Sequence, residues 1–133
     1  MKTIELPAGG TVRGRPIATP AHPAPAFGIY LVPHPDYPWP HTNLPWPDFR
    51  TPRSTPDALT ALNHLNTRAK AGDLVEIACR GGIGRTGTAI AALAVLDGLT
   101  PDEAFRWVRA TYNPRAIETP WQRRWLKKVH ATT

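Results

Sequence analysis

Cysteine is almost absent. Cys79 stands alone in 133 residues, which excludes an internal disulfide framework, suits a reducing compartment and leaves the thiol without a resolving partner in the same chain. Long hydrophobic runs are missing as well: the longest, Ala89 to Leu96, has eight residues, against the roughly 20 that a membrane-spanning helix needs. The N-terminus has no basic start followed by an apolar stretch. These absences predict a cytoplasmic protein with no membrane span. Acidic residues are scarce, with 10 Asp and Glu against 16 Lys and Arg, a net charge of +6. That balance suits an anionic substrate or partner, although a solvated basic face explains it equally well. Nucleic acid is not among the expected partners. His34, Asp36, Tyr37, Trp39 and His41 share one stretch, yet no metal-ligand spacing recurs, so no metal or other cofactor is expected and the aromatics read as a lip on a substrate cleft.

Proline is plentiful but confined. Twelve of the 16 prolines lie in residues 1–52, so this half should consist of short strands and turns. Ile4 to Leu6 and Thr11 to Arg13 flank Pro-Ala-Gly-Gly as a small hairpin, and Phe27 to Val32, apolar on both faces, reads as an interior strand. A helix should begin at Thr55 as N-cap, with Pro56 in its first turn, Leu59, Leu62 and Leu65 on its apolar face, and Gly72 at its end. His64 beside that stripe reads as surface or packing. Thr100-Pro101-Asp102-Glu103 forms a capping box for a helix through Tyr112, with Ala104, Phe105, Trp107 and Val108 toward the core. Thr119 with Gln122 forms a second box, for a helix that turns Trp121, Trp125 and Val129 inward.

The centre of the chain is Cys79-Arg80-Gly81-Gly82-Ile83-Gly84-Arg85-Thr86. Leu74 to Ala78 reads as a buried strand and Arg85 to Leu96 as a helix, so Cys79 to Arg85 forms a loop at a helix N-terminus. Successive amides of Arg80, Gly81, Gly82, Ile83 and Gly84, with the helix dipole behind them, make a nest for a phosphate-sized oxyanion. The same field favours thiolate over thiol, and Cys79 sits at its focus. Arg85 offers a planar fork to two phosphate oxygens, and Thr86 can donate to sulfur when it leaves. A core cysteine would require none of this company.

Five residues between the cysteine and the arginine, followed by Thr86, resemble the signature of the protein tyrosine phosphatase superfamily. Trp46-Pro47-Asp48-Phe49 resembles its mobile acid loop, which implies that Asp48 protonates the leaving oxygen and later takes a proton from water. Glu118-Thr119-Pro120-Trp121-Gln122 resembles the segment whose glutamine orients that water, a role that Gln122 fills here or else gives up to the capping box. The likeness spans residues 44 to 126 and is closest to small bacterial dual-specificity members. It implies an α/β fold in one domain over residues 1–133, with a central, mostly parallel sheet of four to five strands flanked by helices, and a cysteinyl-phosphate mechanism on a phosphorylated protein or small molecule. Ala78 departs from the histidine usual before the cysteine, and Arg80 adds charge beside the nucleophile. Two rival classes remain. A rhodanese-like sulfurtransferase has a tighter loop and needs no aspartate acid, and a phosphate-binding module without turnover needs neither Cys79 nor Asp48.

Overall fold

The computed structural model describes residues 1–33 and 36–133; His34, named above, lies outside the described residues. Pro-Ala-Gly-Gly turns the chain between β1 (Lys2–Glu5) and β2 (Thr11–Pro16), which pair antiparallel with Lys2 opposite Gly14. β3 (Phe27–Tyr30) ends two residues before the apolar run does. The Leu31 amide still donates to the Ala78 carbonyl at 3.0 Å, but Pro33 has no N–H with which to continue the ladder. β4 (His41–Asn43), unforeseen from the sequence, pairs parallel with β3 at the sheet edge. Three residues among prolines are too few for a strand period to register.

β5 (Val75–Cys79) is the middle of the five strands, in the order β1-β2-β5-β3-β4, and runs parallel to both neighbours. Cys79 is its last residue, so the nucleophile candidate stands at the carboxyl end of the central strand, where α/β sheets place their ligand crevices.

α1 (Thr55–Lys70) is capped by Ser54, not Thr55 as the sequence suggested. The Ser54 hydroxyl accepts from the Asp57 amide at 3.2 Å. Thr55 lies inside the first turn, and its hydroxyl accepts the Trp125 indole N–H at 3.1 Å. Ala58, Ala61, Leu62, Leu65 and Ala69 are buried, Leu59 is half-buried, and exposed His64 meets the Phe27 ring edge-on.

α2 (Gly84–Leu96) is buried on every side from Gly84 to Val95. It touches β2, β5, α1, α3 (Pro101–Thr111) and α4 (Pro120–Ala131), which is why its Ala/Leu sequence shows no polar face. Both capping boxes form. On α3, Ala104 and Val108 are buried while Phe105 and Trp107 are only half-buried. On α4, Trp125, Leu126 and Val129 are buried, but Trp121 is 49% exposed. Its indole is used at the surface, as the site explains.

The helices lie against the sheet face that carries Gly14, where the Tyr112 ring fills the space a side chain would need. The other face holds a charged cluster under the loops. The Glu76 carboxylate accepts from Arg13 at 2.7 Å, from Arg15 at 2.8 Å and from the Tyr30 hydroxyl at 2.6 Å. Each of these side chains is buried. Burial alone would raise the Glu76 carboxyl, but the bonds from Arg15, Tyr30 and Arg13 outweigh it and hold the group below its ordinary value. The cluster ties β2, β5 and β3 together three residues before Cys79.

Candidate active site

The chain leaves β5 at Cys79 and reverses within four residues before α2 begins. The reversal depends on Gly82, whose φ of +68° is left-handed and whose missing Cβ would meet the backbone nitrogen of Pro16 at 2.5 Å. Its amide turns inward and donates to Cys79 Sγ at 3.2 Å. Thr86 Oγ1 donates to the same sulfur at 3.0 Å. Cys79 is 2% exposed and Thr86 fully buried, so the sulfur sits at the bottom of the loop with two fixed donors. The N-cap of α2, Ile83, supplies no side-chain hydrogen bond, which leaves the first amides of the helix to the loop.

Arg85 lies in the first turn of α2, 5% exposed. One terminal nitrogen donates to the carbonyls of Trp46 at 2.9 Å and Leu31 at 3.2 Å, and Nε stands 3.4 Å from Asp48 Oδ1. The guanidinium therefore bridges three segments that are distant in sequence: the end of β3, the loop that carries Trp46 and Asp48, and the cysteine loop. Asp48 itself is half-exposed, and its Oδ1 also accepts from the Phe49 amide at 3.0 Å.

The loop that carries Asp48 is anchored to α4. Phe49 adopts a left-handed φ of 61°, which turns its carbonyl toward the start of that helix, where Trp121 Nε1 and Thr119 Oγ1 both donate to it. Gln122 is fully buried. Its Oε1 accepts from the amides of Glu118 (2.8 Å) and Thr119 (3.3 Å), and its Nε2 donates to the Arg50 carbonyl at 3.1 Å. Both ends of the Gln122 amide are thus engaged in closing the capping box and holding the Arg50 carbonyl.

In the sequence pattern Tyr112 marks only the end of a helix. Its hydroxyl donates to the Gly82 carbonyl, fixing the loop from behind. Burial, followed by the neighbouring Cys79, pushes the phenol above its ordinary value, so it remains a donor. The sequence offered one signal for it, a tyrosine at the end of an amphipathic helix, and that pattern usually means packing. Glu118 places its carboxyl over the Cα of Gly84, in space that any side chain at 84 would take, and so faces the N-terminal end of α2 with favourable charge.

Tyr37 and Trp39 do not form the expected aromatic lip. They stack on one another, with ring centroids 4.5 Å apart, over the charged cluster. Trp39 donates to the Tyr30 hydroxyl at 2.7 Å, and Tyr37 accepts from Arg15 at 3.1 Å. The cleft that opens from Arg85 and Arg80 runs instead between residues 31–33 and 43–48, with a volume of about 480 Å³ and Trp46, Pro47 and Asp48 in its wall. Among the described residues no group of three or more His, Cys, Asp or Glu side chains could hold a metal ion, and no helix is long and apolar enough to cross a membrane.

A family model described as "Swiss Army Knife protein, DSP-PTPase phosphatase domain" matches residues 35–132. The chain belongs to this family. It is therefore a phosphatase domain of the protein tyrosine phosphatase fold. In solved structures, Tk-PTP in its active form is 30% identical over 82% of this chain and 80% of its own, with a TM-score of 0.68. A glycine-to-alanine mutant form of Tk-PTP is 26% identical over 92% and 89%, with a TM-score of 0.74. Kinase associated phosphatase, with its catalytic-site cysteine changed to serine, shares the fold at 24% identity over 71% and 53%, with a TM-score of 0.62. No curated protein matches the chain in sequence. For this DSP-PTPase domain, the acid-loop and cysteine-loop residues read from the sequence all lie inside the matched segment.

Proposed function

We propose that the protein hydrolyses phosphate monoesters, with dual-specificity or tyrosine-phosphatase reactivity, through a cysteinyl-phosphate intermediate and without a metal. The convergence of Cys79, Arg85 and Asp48 carries this reading: a sulfur with donors at 3.0 and 3.2 Å, and an arginine 3.4 Å from a carboxylate on another loop. Neither a sulfurtransferase nor a binding module needs that third group.

A phosphate bound over the loop takes its hydrogen bonds from the loop amides and the Arg85 fork. The Cys79 thiolate attacks phosphorus, and the bond to the ester oxygen breaks as Asp48 transfers its proton to that oxygen. The alcohol or phenol departs through the cleft. Asp48, now a carboxylate, takes a proton from a water that attacks the phosphocysteine. Sulfur leaves as thiolate, with the Thr86 hydroxyl and the Gly82 amide receiving its charge, and inorganic phosphate is released. Gln122 serves this sequence as a positioning residue, through the Arg50 carbonyl that it holds.

Hydrolysis of p-nitrophenyl phosphate in EDTA tests the reading. Turnover by the parent protein and its loss in Cys79→Ser are expected. Equal turnover by parent and Cys79→Ser, or activity removed by EDTA, would overturn it.

A further inference from the structure

The cleft beyond the phosphate loop contains more positive charge than one phosphate ester requires. Three arginines line it, Arg53, Arg80 and Arg85, against a single carboxylate, Asp48. Arg85 and Asp48 already face each other at 3.4 Å, and Arg85 is the fork assigned to the scissile phosphate. Arg53 and Arg80 remain. Both are exposed, and neither side chain has a carboxylate or hydrogen-bond partner among the described residues. His34 and Pro35, which lie outside them, carry no carboxylate.

These two arginines come from the two loops that the reaction uses. Arg80 follows the nucleophile directly. Arg53 follows the acid loop, where its amide donates to the Pro45 carbonyl at 3.0 Å. The rest of the wall is largely apolar, including Leu31, Val32, Leu44 and Trp46. Apolar walls with a few convergent charged groups are the usual form of a small-ligand site, and guanidinium groups are suited to carboxylate and phosphate oxygens.

We propose that the preferred substrate is a phosphate monoester whose apolar body carries a second anionic group, a carboxylate or another phosphate, which Arg53 and Arg80 hold while Arg85 and the loop hold the phosphate that is cleaved. This rests on the phosphatase reading of the same site. The second anion sits on the leaving group, because the cleft extends from the Asp48 side, where the alcohol departs. Its recognition sets KM and leaves the chemistry at phosphorus to Cys79, Arg85 and Asp48.

The test compares 3-carboxyphenyl phosphate with its methyl ester, two aryl phosphates of nearly equal shape that differ by one charge. The parent protein should favour the acid in kcat/KM by about fivefold, the scale of two partly exposed ion pairs, through a lower KM. In the Arg53→Ala/Arg80→Ala protein that preference should fall to about one. Calorimetric binding of the same two compounds to Cys79→Ser protein reads the subsite without turnover, so a parent protein that turns over neither compound while its Cys79→Ser form still prefers the acid defeats the phosphatase reading and retains the subsite. Phosphotyrosine peptides flanked by Glu or by Ala form a further arm. Discrimination between the peptides alone would put the second anion on a neighbouring residue of a protein substrate. Equal handling of acid and ester together with equal handling of the two peptides, or a preference that survives loss of both arginines, would overturn the proposal.

Discussion

The indole N–H of Trp121 donates to the carbonyl of Phe49, the residue that follows Asp48. A helix whose core contacts are Trp125, Leu126 and Val129 thereby reaches back more than 70 residues to hold the loop that carries Asp48. Removing only that donor, as in Trp121→Phe, should loosen the loop by about one hydrogen bond, a roughly 2- to 10-fold effect. The loss should fall on phenyl phosphate, which needs its leaving oxygen protonated, more than on p-nitrophenyl phosphate. Steady-state kinetics on the two esters checks this, and equal losses on both would assign Trp121 to packing alone.

Asp48→Ala should show the same leaving-group signature at full size. General acid help is typically worth about 10²–10⁴ in rate, and phenyl phosphate should lose that much while p-nitrophenyl phosphate loses considerably less. Single-turnover measurements on both esters would establish whether the deficit lies in the step that breaks the ester bond.

Tyr112→Phe leaves the Gly82 carbonyl without its donor. A buried acceptor left unsatisfied costs about 1–3 kcal/mol, and here the cost falls on the cysteine loop, which we propose binds phosphate. Orthovanadate affinity should drop, and thermal stability should fall with it. A variant that melts lower but binds vanadate as before would mean that Tyr112 supports the fold and not the loop.

Glu76→Gln removes the carboxylate that pairs with both Arg13 and Arg15 and leaves two buried cations facing an amide. Breaking a buried pair in this way typically costs about 3–5 kcal/mol. The folded carboxyl lies below its ordinary value of 4.5, so its contribution is complete above that pH and is lost as pH falls through the lower folded value. The parent should therefore lose stability on acidification below pH 4.5 faster than Glu76→Gln does, and the gap between them should narrow. Urea melts at neutral pH and at two acidic values would show it; a gap that stayed constant would place the stabilisation outside this carboxylate.

Much of the site can be read along the chain because its parts are local. Cys79, the glycines, Arg85 and Thr86 occupy eight consecutive positions, and a strand that ends in a turn and opens a helix places them in one nest by backbone geometry alone. The Thr100 and Thr119 capping boxes are equally local, since a side chain and an amide three residues apart need no tertiary help. Where a local signal had a competitor, folding decided. Ser54 and Thr55 both suit an N-cap, and Thr55 was drawn away by Trp125, a partner 70 residues distant.

The long-range pairings were settled only in three dimensions. Glu76 in an apolar strand implies a buried partner, but that Arg13, Arg15 and Tyr30 supply it depends on β2 and β3 flanking β5. Tyr37 and Trp39 look in sequence like a cleft lip and turn instead to the opposite sheet face, because that cluster offers them hydrogen bonds. Gln122 could orient water or cap a helix according to its sequence; once α4 packs beside the acid loop, both ends of its amide are occupied. The chemistry-bearing residue types and their spacing are thus properties of the chain itself. Which of them meet, and which loops they hold, depends on burial and on the satisfaction of polar groups, and these exist only after the sheet and helices have packed.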